Sequence, residues 1–89
     1  MIREPVKIVN KLGLHARASA KFVTTATGFS SSVAICKDGR EVDGKSIMSI
    51  MMLAASCGSD IELVIDGPDE CAARDALVNL INDRFGEEA

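Results

Sequence analysis

Apolar positions along the chain switch between a period of two and a period near four, and Gly, Pro and Asp punctuate the changes. Val6 and Ile8 alternate with Pro5, Lys7 and Val9, which predicts a first strand. Pro5 lacks an N–H and points to an edge or an early position in that strand. Asn10-Lys11-Leu12-Gly13 breaks the pattern. From Ala16 the period is helical, with Ala16, Ala20, Val23 and Thr27 expected on one face and Gly28 as the stop. Val33 and Ile35 predict a second strand. Asp38-Gly39 is a two-residue hairpin signal, and Glu41-Val42 continues as a short third strand.

Ser46 is placed to cap a helix running through Ile47, Ile50, Met51 and Ala54 and stopping near Gly58. Ile61, Leu63 and Ile65 alternate with Glu62, Val64 and Asp66 and give the clearest strand. Pro68, Asp69 and Glu70 suit the first turn of a last helix, where Pro is tolerated and acids meet the positive dipole end. Ala73, Leu77, Leu80, Ile81 and Arg84 follow at helical spacing, with Gly86 as the end. The order β-α-β-β-α-β-α predicts an α+β domain with a four-stranded antiparallel sheet and helices packed on one face. Order alone leaves the strand arrangement open, since a ferredoxin-like sheet begins the same way.

Composition narrows the function. A chain of 89 residues has room for one domain, 1–89, that buries roughly 60–65% of its unfolded surface. The three Phe are its only aromatics, so an aliphatic core of Ile, Leu, Val, Met and Ala is expected. So small a core leaves little space for a deep pocket, which favours a partner-binding module over a self-contained catalyst. The net charge of −3 disfavours nucleic acid, whose binders carry a basic footprint. No apolar stretch approaches the length of a membrane span; Ile47 to Ala55 is the longest, and Ser49 interrupts it. No positively charged start followed by an apolar run marks a secretion signal, so a cytoplasmic place is expected. Cys36, Cys57 and Cys71 are widely spaced without a CxxC pair and are expected as reduced, packed thiols, with no metal or cofactor.

His15 is the one histidine. It falls between Gly13-Leu14 and the helix beginning near Ala16, where unpaired N–H groups and the dipole favour an anion. Neutral imidazole is a good nucleophile at physiological pH. Arg17 can reach a bound phosphoryl oxygen with a charge-assisted hydrogen bond. Without further signals, such a histidine reads as a surface or capping residue.

Gly13-Leu14-His15-Ala16-Arg17, preceded by Asn10, resembles the active-site signature of the HPr family, the histidine-containing phosphocarriers of the bacterial phosphotransferase system. Gly44-Lys45-Ser46-Ile47-Met48-Ser49-Ile50-Met51 resembles the regulatory serine segment of that family. The resemblance covers the whole chain and implies an open-faced β-sandwich. It further implies that His15 takes a phosphoryl group on Nδ1 from enzyme I and passes it to an enzyme IIA domain. In this picture Arg17, with the backbone of Ala16 and Arg17, steadies the phosphoryl group. Ser46 is implied as the site of an HPr kinase/phosphorylase, and Ile47, Met48 and Met51 as the docking surface of a monomeric carrier. Plain core packing is the alternative for Met48 and, more strongly, for Met52. The residue after Arg17 is usually Pro in the family and is Ala18 here, which implies a slightly looser first turn.

Two competing readings differ in class. One is a mainly regulatory partner-binding module, in a nitrogen-related branch or through Ser46 phosphorylation. The other, a nucleic-acid-binding domain of ferredoxin-like fold, conflicts with the acidic charge. Gly39 to Ser46 also matches the nucleotide-binding pattern G-x-x-x-x-G-K-[ST]. That loop must follow a buried strand and open a helix, whereas Gly39 belongs to a hairpin turn.

Overall fold

The computed structural model describes residues 1–88. Strands β1 (Ile2–Lys7), β2 (Ser32–Lys37), β3 (Arg40–Asp43) and β4 (Asp60–Asp66) form one antiparallel sheet in the order β1-β4-β2-β3. Helices α1 (Ala16–Thr27), α2 (Ile47–Leu53) and α3 (Glu70–Asn82) complete the expected βαββαβα order, and a 3-10 turn follows at Arg84–Gly86. The strand order resolves the ambiguity left by the sequence. Here β1 lies at an edge with β4 inserted between it and β2, whereas a ferredoxin-like sheet keeps its first strand inside.

Pro5 sits in that edge strand, opposite Glu62, where its missing N–H is tolerated. The β2–β3 hairpin turns on Asp38 and Gly39, whose φ angles of 51° and 81° are the positive pair that a type I′ turn requires. β3 fills the middle of the supposed nucleotide loop, which removes that reading. Alternate residues of β4, namely Ile61, Leu63 and Ile65, face the helices with Val33 and Ile35 and form the floor of the core.

The contents of the core differ from the expectation. Phe22 and Phe85 are its largest fully buried side chains, while all four methionines are exposed. Phe22 also decides which face of α1 is buried: Ala18, Ser19, Phe22 and Ala26 point inward. The expected face, Ala16, Ala20, Val23 and Thr27, is rotated away from it. Ser19, Phe22 and Ala26 each stand one residue before an expected position, which turns the buried face by about 100°. One phenyl ring outweighs several small side chains, because it removes far more apolar area from water.

Two helices stop earlier than their periodicity suggests. α2 closes at Leu53 because Ala54 adopts a left-handed conformation (φ 55°), so neither Ala54 nor Gly58 belongs to it. α3 ends at Asn82, and Arg84 and Phe85 then take φ angles of 55° and 54°. This reversal drives Phe85 into the core and sends the chain back toward α1. Cys57 and Cys71 are exposed and Cys36 is partly covered, so only Cys36 resembles the packed thiol anticipated.

Candidate functional site

The turn before α1 is built around Gly13. Its φ is +67°, and a Cβ there would stand 2.5 Å from the Ala55 carbonyl oxygen and 2.8 Å from Ser56 Cα. Only a residue without a side chain lets the two backbones meet so closely. Leu14 then donates its N–H to the Ala55 carbonyl at 2.9 Å and buries its side chain. The buried Ser19 hydroxyl donates to the Leu14 carbonyl at 3.1 Å. Both bonds hold the backbone of Leu14 and so fix where the next residue starts.

That residue, His15, is the N-cap of α1, with φ −76° and ψ −179°. Its carbonyl accepts from Ser19 N–H at 2.8 Å. The ring takes the place of the usual Ser or Asp cap, because Arg17 N–H donates to Nδ1 at 3.3 Å. The other ring nitrogen, Nε2, lies 2.6 Å from Glu87 Oε2. The two contacts assign the tautomer: Nδ1 is an acceptor and keeps its lone pair, while Nε2 carries the proton and donates to the carboxylate.

Glu87 has no counterpart in the sequence reading. It arrives from 72 residues away and its side chain is only 13% exposed. Asn10, fully buried, donates one Nδ2 to both the Gly13 carbonyl (2.8 Å) and Glu87 Oε1 (3.2 Å). Hydrogen bonding to the His15 ring holds the Glu87 carboxyl below its ordinary range; Asn10 adds to the effect and partial burial opposes it. Lys11, Leu12, His15, Ala16, Arg17 and Glu87 line an open depression of about 630 Å³. Among the described residues, the exposed Arg17 guanidinium has no ion-pair partner.

Ser46 is the N-cap of α2, as its position suggested, and its Oγ accepts from Ser49 N–H at 3.3 Å. It does not join His15. The His15 turn abuts Ala55 and Ser56, just beyond the far end of this seven-residue helix, about 10 Å along its axis. Ile47 (40%), Met48 (70%) and Met51 (41%) are exposed, and Met52, the stronger candidate for core packing, is 65% exposed. Leu12, at 67%, adds a further bare apolar side chain beside His15. Among the described residues no group of three His, Cys, Asp or Glu is arranged to hold a metal ion, and no helix is long and apolar enough to cross a membrane.

The family described as the PTS HPr component phosphorylation site matches residues 2–83. The phosphocarrier protein HPr of Cupriavidus necator is 56% identical over 87 residues, covering 98% of each chain. The chain belongs to the HPr family. The phosphocarrier protein HPr of Neisseria meningitidis serogroup A is 55% identical over 87 residues, again covering 98% of each chain. A crystal structure of HPr from Thermoanaerobacter tengcongensis superposes over the full length of both chains with a TM-score of 0.96 and 48% identity. The open-faced arrangement of sheet and helices is thus that of HPr, and the chain is a phosphocarrier of the phosphotransferase system. Glu87 lies beyond the residues that the family pattern matches.

Proposed function

We propose that this protein carries a phosphoryl group on His15 Nδ1, taking it from the phosphohistidine of enzyme I and delivering it to a histidine of an enzyme IIA domain. The observation that carries this reading is the pair of contacts on the ring. Arg17 N–H marks Nδ1 as the nitrogen with the lone pair, and that nitrogen faces the start of α1. In the first step the lone pair attacks phosphorus, a P–N bond forms at Nδ1, and the bond to the donor nitrogen breaks with its electron pair returning to the donor. The negative charge on the phosphoryl oxygens is met by the Ala16 and Arg17 backbone N–H groups and by the Arg17 guanidinium. The partners complete the catalytic machinery. A shallow, open site on a small chain supports a carrier that is no enzyme by itself and needs no cofactor.

Ile47, Met48 and Met51 form the docking surface, since exposed methionines adapt to several partners. Ser46 is the regulatory site, open to an HPr kinase/phosphorylase. A phosphate there would meet the positive end of α2 and leave the fold intact, while adding nearly two negative charges beside the docking surface. The chain acts as one cytoplasmic domain and as a monomer; Pro5 and the charged Arg3, Glu4 and Lys7 make β1 a poor edge for pairing. A mainly regulatory role through Ser46 is the second reading, supported by that N-cap geometry.

Incubation with enzyme I and labelled phosphoenolpyruvate tests the main reading. Acid-labile label on the wild type that is lost in His15→Ala is the expected result. Label that persists in that variant overturns it.

A further inference from the structure

We propose that Glu87 is a positioning residue for the His15 ring, holding the proton on Nε2 through both phosphoryl steps. The inference rests on the phosphocarrier reading and adds to it a residue that lies outside the matched family pattern. Three features of the structure show that the contact is built. The carboxylate is 2.6 Å from Nε2 and mostly shielded from water. Its second oxygen is held by Asn10, a fully buried amide whose own Oδ1 has no partner. Burying an amide with an orphaned oxygen is unfavourable, and the two bonds of its Nδ2, to the Gly13 turn and to Glu87, offset that cost. Third, the approach of Glu87 is fixed upstream. Arg84 and Phe85 both take left-handed φ angles, an unfavourable pair offset by burying the Phe85 ring completely.

The chemistry gives this contact a purpose in each direction. When Nδ1 attacks phosphorus, the ring keeps its Nε2 proton and gains positive charge, which the adjacent carboxylate offsets. When an acceptor nitrogen then attacks the phosphorus, the Nδ1–P bond breaks and its electron pair returns to Nδ1. With the proton still on Nε2, the leaving group is neutral imidazole. Had Nε2 lost it, the departing group would be an imidazolate, a far poorer one. The two ring nitrogens point apart, so the carboxylate serves the ring from the edge away from the incoming phosphoryl group.

The test uses the full chain as wild type, Glu87→Ala and Glu87→Gln, with circular dichroism showing that each is folded. His15 ring 15N shifts and the rate of Nε2–H exchange with water are read alongside the kinetics of phosphorylation by enzyme I and phosphoenolpyruvate. In Glu87→Ala, exchange accelerates and kcat falls about threefold to thirtyfold with KM for the carrier nearly unchanged, the range a charge-assisted hydrogen bond in a partly exposed site supports. Glu87→Gln keeps an acceptor oxygen and restores the slow exchange, with part of the rate. Wild-type exchange and kcat in Glu87→Ala, or a loss confined to KM, overturns the proposal. If the wild type accepts no phosphate from enzyme I, the phosphocarrier reading fails instead, and the ring shifts and proton exchange still decide the Glu87 contact.

Discussion

The Lys21 ammonium donates to the Phe85 carbonyl oxygen at 2.6 Å, joining the middle of α1 to the C-terminal turn. Because His15 caps the same helix, this bond fixes the distance between the ring and the segment that delivers Glu87. Lys21→Met keeps the aliphatic stem and removes the donor. The expected loss is about 1 kcal/mol, the net value of one such hydrogen bond. For a domain of this size that lowers Tm by roughly 4–8 °C in calorimetry. Amide exchange at Gly86 and Glu87 should rise more than at the sheet, since the turn is released before the core.

Gly13→Ala should be more damaging. The new Cβ meets backbone atoms of Ala55 and Ser56, which cannot rotate away, and φ is positive at the same position. A loss of about 2–3 kcal/mol is expected from the combined strain and clash. Urea unfolding measures it, and the amide shift of Arg17 should change as the His15 ring moves.

How far the sequence reached is visible by comparing α1 with Glu87. The bounds of α1 were legible because Gly28 and the turn at Gly13 punctuate it locally. Its buried face was not, since the small residues in that stretch carry little directional signal and Phe22 alone sets the rotation. The position of His15 at a helix start followed from three neighbouring residues. The carboxylate on its ring did not, because that contact depends on two left-handed residues, Arg84 and Phe85, which sit where helical spacing continues. Phe85 followed by Gly86 was the one available hint of a reversal. The exposure of Met52 was not legible for a related reason: hydropathy says that a side chain prefers burial, not that a seven-residue helix has room to bury it.

Asp69 predicts a pH dependence. Its carboxylate accepts from Ser30 N–H (2.8 Å), Ser31 N–H (2.9 Å) and the Ser31 hydroxyl, tying the start of α3 to the start of β2. The Ser31 hydroxyl, followed by the Ser30 N–H, holds this carboxyl below its ordinary range, with burial opposing. A carboxyl lowered in the folded state contributes stability above its unfolded pKa and loses it as pH falls through the folded value. Asp69→Asn should therefore be less stable than wild type at neutral pH. The gap should close progressively below about pH 4, where the unfolded carboxyl takes up its proton. Urea midpoints from neutral to strongly acid pH check this, and a gap independent of pH contradicts it.

Met48 separates docking from folding. Its side chain is 70% exposed, so Met48→Glu should change stability by no more than about 0.5 kcal/mol. On a docking surface the same change places a charge where an apolar contact forms, and each lost contact of that kind is worth about 1–2 kcal/mol. KM for the carrier with enzyme I should then rise roughly fivefold to thirtyfold, with kcat at saturation preserved. Unchanged KM would place the docking surface elsewhere.

Ser46 combines both measurements in one position. Ser46→Ala removes the acceptor for Ser49 N–H and should lower stability by about 0.5–1 kcal/mol, the low range because the bond is 3.3 Å long. Ser46→Asp restores an acceptor and adds a negative charge at the positive end of α2, so it should match or exceed wild-type stability. Its effect on phosphoryl transfer should run the other way. The charge stands at the head of the helix that presents Ile47, Met48 and Met51, so enzyme I should bind Ser46→Asp more weakly while Ser46→Ala binds like wild type. Raised ionic strength should narrow that difference, because an exposed charge is screened within about 10 Å at 0.1 M salt. Titration calorimetry with enzyme I at low and high salt distinguishes this from a conformational effect, which would survive the added salt.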